Sequence, residues 1–416
     1  MTTAFNQWPN ERQLVRAYAG TMAQADTTVA PTFRLYGDMR ITKRRALASR
    51  KEYAGTFFGK YSPVRGPAEI EGTYEQALSF EDLAILSRYA ISGGGAGVTD
   101  GNATPGYTYT RAPHATRQDL DVMCVEAGWP GFPRKADMLW FPECTISGDI
   151  DDAEAAWKWS SKVRARTYDA AANAVNGTAT GGTTTTVVMT GAGWGVNAYQ
   201  GAYVLMTGGT AGNIGEIREV LSNTATTLTL VTALPASVAN ADTFTIGGLF
   251  TSGIADRSRE TIEAPGTILS IDSSSGAIGT TDIDGEFISF SVTYMNNTNP
   301  KRFMENIDSY APRLGQGEKI VTGQVRLEFA RRDEYDHWQN LDPRAIRIFR
   351  EGSVIDSGAG SHKHAQIDIY RAYWDTLDES EREENITATF GFVGFVDLTE
   401  GIPFELTAKT AFANCP

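Results

Sequence analysis

An internal duplication constrains this chain more than any other feature, because a repeated unit must fold twice and pack against itself. In the first copy a strand pattern over 33–41 leads into Lys43 and Arg44, then into Tyr61-Ser62-Pro63. Ile70-Glu71-Gly72 opens the next strand. A helix over about 80–91 follows, with Ser79 as its N-cap, Glu81 and Asp82 in its first turn and Gly93-Gly94-Gly95 just beyond its end. In the second copy a strand over 287–295 leads into Lys301 and Arg302, then into Tyr310-Ala311-Pro312. Val321-Thr322-Gly323 opens the next strand, and a helix near 331–340 carries Tyr335 and Trp338.

Both copies close on strand, acidic turn, strand. The first has strands over about 137–147 and 155–167 around Gly148, Asp149, Ile150, Asp151 and Asp152. The second has strands over 365–373 and 385–396 around Asp375, Asp378, Glu379, Glu381, Glu383 and Glu384. Further strands are expected over 53–58, 68–78 and from Tyr107 to Thr110. The fold class is therefore α+β and mainly β, a tandem pair of sandwich or barrel units each carrying a helix.

Between the copies the composition changes. Residues 175–248 hold only Glu216, Arg218, Glu219 and Asp242 as charged groups and are otherwise rich in Thr, Gly, Ala and Val. Five short β runs, over 184–190, 203–207, 217–221, 227–232 and 243–246, are separated by Gly- and Asn-containing turns, the pattern of a small all-β barrel or sandwich. A chain of 416 residues exceeds the usual span of one core. The expected organisation is an N-terminal arm over 1–30 (a helix plus an arm that orders against a partner), a first unit over 31–174 and the inserted module over 175–248. A connecting segment over 249–283 and a second unit over 284–416 complete it.

Charge argues against a nucleic-acid-gripping protein. The formal net charge is −13, and the basic run Lys43, Arg44, Arg45, Arg50 and Lys51 is outweighed elsewhere. Three cysteines, Cys124, Cys144 and Cys415, make no disulfide framework and no metal motif, so a reducing compartment is expected. The N-terminus has no basic-then-apolar leader pattern, and no apolar run is long enough to cross a membrane.

The search for chemistry assigns no catalytic, cofactor-binding or metal-binding residues. Gly55-Thr56-Phe57-Phe58-Gly59-Lys60 is one residue short of a phosphate loop and Tyr61 stands where a hydroxyl for magnesium would be needed. His362 and His364 could share a strand face, but with no Cys or third His nearby they read as a solvated pair. Asp282, Asp284 and Gly285 lack the remaining oxygen ligands of a calcium loop and read as a turn. Asp149, Asp151 and Asp152, clustered at a hairpin tip, read as solvated rather than as paired catalytic acids. The aromatics Trp157 and Trp159, on one face by period two, and Tyr370 and Trp374 in the second copy, are candidates for packing between subunits.

The stretches 310–329 and 365–396, their counterparts in the first copy, and Ile278-Gly279-Thr280-Thr281 leading into Gly285-Glu286-Phe287-Ile288 resemble the tail tube proteins of long-tailed phages. That resemblance implies a structural subunit of the virion, made in the host cytoplasm and acting in the phage tail. It implies rings stacked into a tube that conducts double-stranded DNA without binding it specifically. The implied partners are further copies of the chain, a tape measure protein, a terminator and a distal tail protein, with no membrane and no cofactor. In that family six copies of the fold close a ring, so a two-copy chain implies three subunits per ring. The inserted module is similar to small β modules that decorate tail proteins. The acidic residues Asp149, Asp151, Asp152, Asp375, Asp378 and Glu379 are then candidates for the lumen or for ring-to-ring contacts. Competing readings are a tail terminator, connector or decoration protein, and a carbohydrate-binding adhesin.

Overall fold

The computed structural model describes residues 16–22, 32–49, 63–92, 97–114, 120–129, 132–170, 175–247, 257–301, 314–328, 333–382 and 385–413. Eight strands form one antiparallel run: β1 (Asp38–Ser49), β2 (Pro63–Ala77), β3 (Phe132–Asp149), β4 (Lys158–Arg164), β5 (Phe287–Met295), β6 (Ile320–Glu328), β7 (Ser361–Arg382) and β8 (Asn385–Gly394). They lie in the order β1-β2-β4-β3-β5-β6-β8-β7. The first four strands and the last four have the same internal order, and the ladder between β3 and β5 joins the two sets.

The duplication extends to a second group of ladders, because β3 and β7 are each long enough to serve two sheets. The N-terminal part of β3 pairs with Val122–Trp129 and Thr167–Ala170, and Arg16–Met22 pairs with the far edge of Val122–Trp129. The N-terminal part of β7 pairs with Arg344–Asp356 and Phe404–Thr410, and Ile268–Ser273 pairs with the far edge of Arg344–Asp356. Each long strand has a register irregularity where it passes between its sheets, from Trp140 to Glu143 in β3 and from Trp374 to Thr376 in β7. A bulge at that point bends and twists the strand, which lets one segment belong to two sheets.

Alternation decides which side of each strand is buried. β5 is the clearest case: Ile288, Phe290, Val292 and Tyr294 are buried, while Ser289, Ser291 and Thr293 point to the other face. One core cluster runs through both copies, from Ala19 to Ala408, and a smaller one gathers Val122, Cys124, Met138, Trp140 and Leu314.

Helix α1 (Phe80–Ala90) begins at Ser79, whose Oγ accepts the amide of Asp82 at 3.0 Å, the N-cap arrangement expected there. Nearly every residue of α1 is buried, so its two acids need partners inside the protein. Asp82 takes Arg257 at 2.7 Å and Arg259 at 3.3 Å, and Glu81 takes Lys363 of β7 at 2.7 Å. Helix α2 (Asp333–Asn340) occupies the corresponding place after β6. Its buried Glu334 takes Arg344 at 2.6 Å and the indole N–H of Trp374 at 2.9 Å.

Residues 175–247 form a separate seven-stranded sheet with its own core around Val204, Met206, Val220, Leu228, Phe244 and Ile246. The strands Val175–Thr178 and Gly181–Gly182 add to the five runs visible in the sequence. Their short, Gly-containing sequences hide them from a period-two reading.

Several expectations are corrected. Arg16–Met22 is a strand rather than part of a helix, held between Phe33–Leu35 and Val122–Trp129. The strand expected over 33–41 is two strands, Phe33–Leu35 and β1, and β1 continues through Lys43, Arg44 and Arg45, paired along β2. Asp375, Asp378, Glu379 and Glu381 lie on β7, which runs on to Arg382, so they form no hairpin tip. No Gly or Pro interrupts that stretch, and exposed carboxylates are tolerated on a strand whose outward face is wet. The stretch 53–58, Tyr61-Ser62, Tyr310-Ala311-Pro312, Glu383, Glu384 and Cys415 lie outside the described residues. Among the described residues no helix is long and apolar enough to cross a membrane.

An arm of the first copy also reaches the second. Tyr107–Arg111 pairs with Phe404–Thr410, and Asp100 anchors the approach. Its carboxylate accepts Ser361 Oγ at 2.6 Å, Lys409 Nζ at 3.0 Å and the amides of Gly106 and Asn102. These bonds, that of Ser361 foremost, hold the Asp100 carboxyl well below the usual carboxylate range. A depressed folded value means the contribution is fully present above the unfolded value near about 4 and is lost as the pH falls through the folded one. Asp100→Asn should therefore loosen the arm at neutral pH. Hydrogen exchange at Tyr107–Arg111 is expected to rise by roughly tenfold or more, the scale of a lost charge-assisted bond, with β6 unaffected. In the unsubstituted chain the same loosening should appear only in acid. Unchanged exchange in Asp100→Asn would refute the anchor.

Candidate functional site

The eight-stranded run has one largely buried face and one polar face. Period two puts Asp38, Arg40, Thr42 and Arg44 of β1 on it, with Glu69, Glu71, Thr73 and Glu75 of β2 opposite them. β4 adds Lys158, Ser160, Lys162 and Arg164, and β3 adds Glu143, Thr145, Ser147 and Asp149. Basic and acidic strands thus alternate across the first copy. The neighbouring rows meet: Arg164 lies 2.9 Å from Glu71, and Lys162 lies 2.6 Å from Glu143. Such exposed pairs each contribute at most about 1 kcal/mol, so their value lies in register more than in stability.

At the β3–β5 ladder the charges stop. Thr145 and Thr293 share a hydroxyl bond of 2.8 Å across it, and Ser147 faces Ser291. The second copy continues with Thr322, Gln324 and Arg326 on β6, Thr387 and Thr389 on β8, and Thr376, Asp378 and Ser380 on β7. A cleft of about 460 Å³ opens at one end of the ladder, lined by Glu71, Glu143, Lys162, Arg164, Met295 and Asn297 among others. Its charged walls are already paired with one another.

The sequence candidates are distributed unevenly over this surface. Asp149 ends β3 on the polar face, and Asp151 and Asp152 form the turn that follows. Asp149 Oδ1 accepts the amide of Asp151 at 2.8 Å, and Asp152 is paired with Lys158. That hydrogen bond lowers the Asp152 carboxyl and raises the Lys158 ammonium from their ordinary values. Asp151 is bonded by Arg382 at the end of β7, so the ends of the two hairpins touch. Asp375 is exposed at the β7 bulge, Asp378 on the polar face and Glu379 on the opposite side of the strand.

The aromatics lie elsewhere. Trp157, Trp159 and Trp374 are buried in the chain's own core. Trp157 packs edge-on against Phe290 with ring centroids 4.9 Å apart and donates its indole N–H to Thr267. Trp159 packs edge-on against Phe141, and Trp374 lies between Phe390 and Phe392. Tyr370 is half-buried, its hydroxyl pushed up by burial and by nearby carboxylates.

His362 and His364 lie on β7, His362 beside Glu351 at 3.3 Å and His364 against the Phe349 ring. Burial pushes the His364 imidazole down from its ordinary value. Among the described residues no group of three or more His, Cys, Asp or Glu is placed to hold a metal ion. Cys124 and Cys144 are buried. No family model matches the chain, and no curated protein matches it in sequence.

The alternating charge rows were missed in the sequence although their signal is there. Glu69, Glu71 and Glu75, and Lys158, Lys162 and Arg164, are period-two charge patterns, but only the pairing of distant strands reveals that they interlock. Trp157 gives a direct test of the joint between the copies, since its ring bridges the start of β4 to β5. Trp157→Ala should cost about 3–5 kcal/mol of unfolding free energy in chemical denaturation, the range for deleting a fully buried aromatic. A loss under about 0.5 kcal/mol, typical of a surface substitution, would show that the ring is not part of the core.

Proposed function

We propose that this chain is the structural subunit of a phage-type tail tube, in which three copies close a ring and rings stack around a bore that conducts DNA. The observation that carries this reading is the β3–β5 ladder. It joins the last strand of one four-strand set to the first strand of an equivalent set, and that is the contact a ring needs between neighbours. The outermost strands of the run, β1 and the C-terminal part of β7, each have a ladder partner on one edge only among the described residues. Making the same joint between chains three times closes a ring of 24 strands. With a strand spacing near 4.8 Å and the usual tilt, such a barrel closes at about 45 Å between backbones, wide enough for a double helix.

The polar face supports the bore assignment. Acidic and basic rows offset each other across the first copy and the second is largely hydroxylic, so DNA would meet no basic field on which to release counterions. A bore lined by carboxylates alone does not fit that face. Closure also removes two open strand edges that would otherwise promote aggregation.

Electron microscopy of the concentrated protein, paired with a mass measurement in solution, tests the proposal. Hollow stacked rings with the mass of three chains per ring are the expected result. Single rings that never stack would move the reading to a terminator or connector. Six chains per ring, or a monomer that persists at high concentration, would count against the three-copy tube.

A further inference from the structure

The internal joint is also a template for the joint between copies. Gly72 of β2 faces Ile41 of β1 on one side and Val163 of β4 on the other. Gly323 of β6 faces Val292 of β5 and Phe392 of β8 in the same way. Ile41 therefore corresponds to Val292, and Val163 to Phe392. One step further, Ser161 of β4 faces Cys144 of β3, and its counterpart Phe390 of β8 faces Leu377 of β7. The bulge precedes Cys144 and Leu377 alike, so the two long strands are aligned without a gap from there to their ends. Inside the chain Thr145 stands opposite Thr293 and Ser147 opposite Ser291.

Resting on the ring reading above, we propose that β7 of one copy pairs antiparallel with β1 of the next in this same register. Ser380 then stands opposite Arg40, and Asp378 opposite Thr42, between Arg40 and Arg44. Two features favour this partner. Asp378, Arg40 and Arg44 are all exposed and lie on the polar face. On that face β7 carries Thr376, Asp378, Ser380 and Arg382, so its one carboxylate comes beside Arg40 and Arg44 of β1. Arg382, which reaches Asp151 of its own chain, comes opposite Asp38. The joint between copies thus sets opposite charges near one another, whereas within the chain Glu143 and Asp149 face the uncharged Met295 and Ser289, and the strength of the joint between copies should fall with salt.

Two measurements test it. In a Cys415→Ser background, Ser380→Cys with Arg40→Cys should give intermolecular disulfides on oxidation, in a ladder that stops at three chains. Ser380→Cys with Asp38→Cys, displaced by one pair on the same face, should give far fewer. Separately, Asp378→Arg should weaken association by about tenfold per joint, and adding Arg40→Asp and Arg44→Asp should restore it. Folding of each variant is checked by circular dichroism of the monomer in high salt. Rings that form but cross-link only through the displaced pair would overturn the register and leave the ring reading intact. Rings indifferent to both charge substitutions would overturn the electrostatic joint. Neither rings nor cross-links from folded protein would remove both proposals together.

Discussion

The antiparallel ladder between β3 and β5 is the contact on which the rest of the molecule depends. Without it the chain would be two four-stranded sets, each with an exposed edge, and the core would be divided. With it, Trp157 packs on Phe290, Ile146 and Val292 face each other on the buried side, and one apolar interior runs through both copies. Area-proportional burial favours such a merger, since a joined core removes more apolar surface from water than two small ones. The covalent link between the copies keeps the two edges at high effective concentration, so this joint needs no charge to find its register. Hydroxyls and apolar side chains suffice.

The long strands solve a second problem. Each copy must hold two sheets in a fixed relation, and a single strand shared by both does so without a loop. The bulge after Trp140 and the one after Trp374 supply the bend, and they recur at equivalent places although the residues around them differ. Buried ion pairs then fix the parts that strands do not. Asp82 with Arg257 and Arg259, and Glu81 with Lys363, tie α1 to the segment entering the second copy and to β7. Breaking one partner of such a pair leaves an uncompensated charge inside the protein, so these contacts act more as positional locks than as sources of net stability.

Legibility in the sequence followed the strength of local signals. Ser79 with two acids after it marked α1, and the alternation of Ile288, Phe290, Val292 and Tyr294 marked β5, because both patterns are complete within a dozen residues. The acid-rich stretch of β7 read as a turn, since its charges mimic solvent-exposed punctuation; only its long-range ladder with β8 makes it a strand. Trp157 and Trp159 were correctly placed on one face, but whether that face meets solvent, a partner or the chain's own core depends on Phe141 and Phe290, which are distant in sequence. Arg16–Met22 was hidden for the same reason, its strand character residing in the neighbours that flank it. Of the candidate surface, the charge rows were individually visible and their interlocking was not.

The divergence between the two copies carries a physical logic. An exposed strand edge is a liability, and charged side chains are one way to keep it from pairing indiscriminately. Here Asp38, Arg40 and Arg44 on β1 and Asp378 on β7 sit on the two open edges, while the equivalent positions at the internal joint are Ser289, Ser291, Met295 and Thr145. A charge pattern that blocks pairing with most partners favours the one edge bearing its complement, because discrimination arises from repulsion against wrong partners as well as attraction to the right one. The copy-to-copy contact made inside the chain was free to lose charge on its β5 side, where Ser289 and Met295 face Asp149 and Glu143; a contact made between chains must select its partner in solution and so has reason to keep charges on both sides.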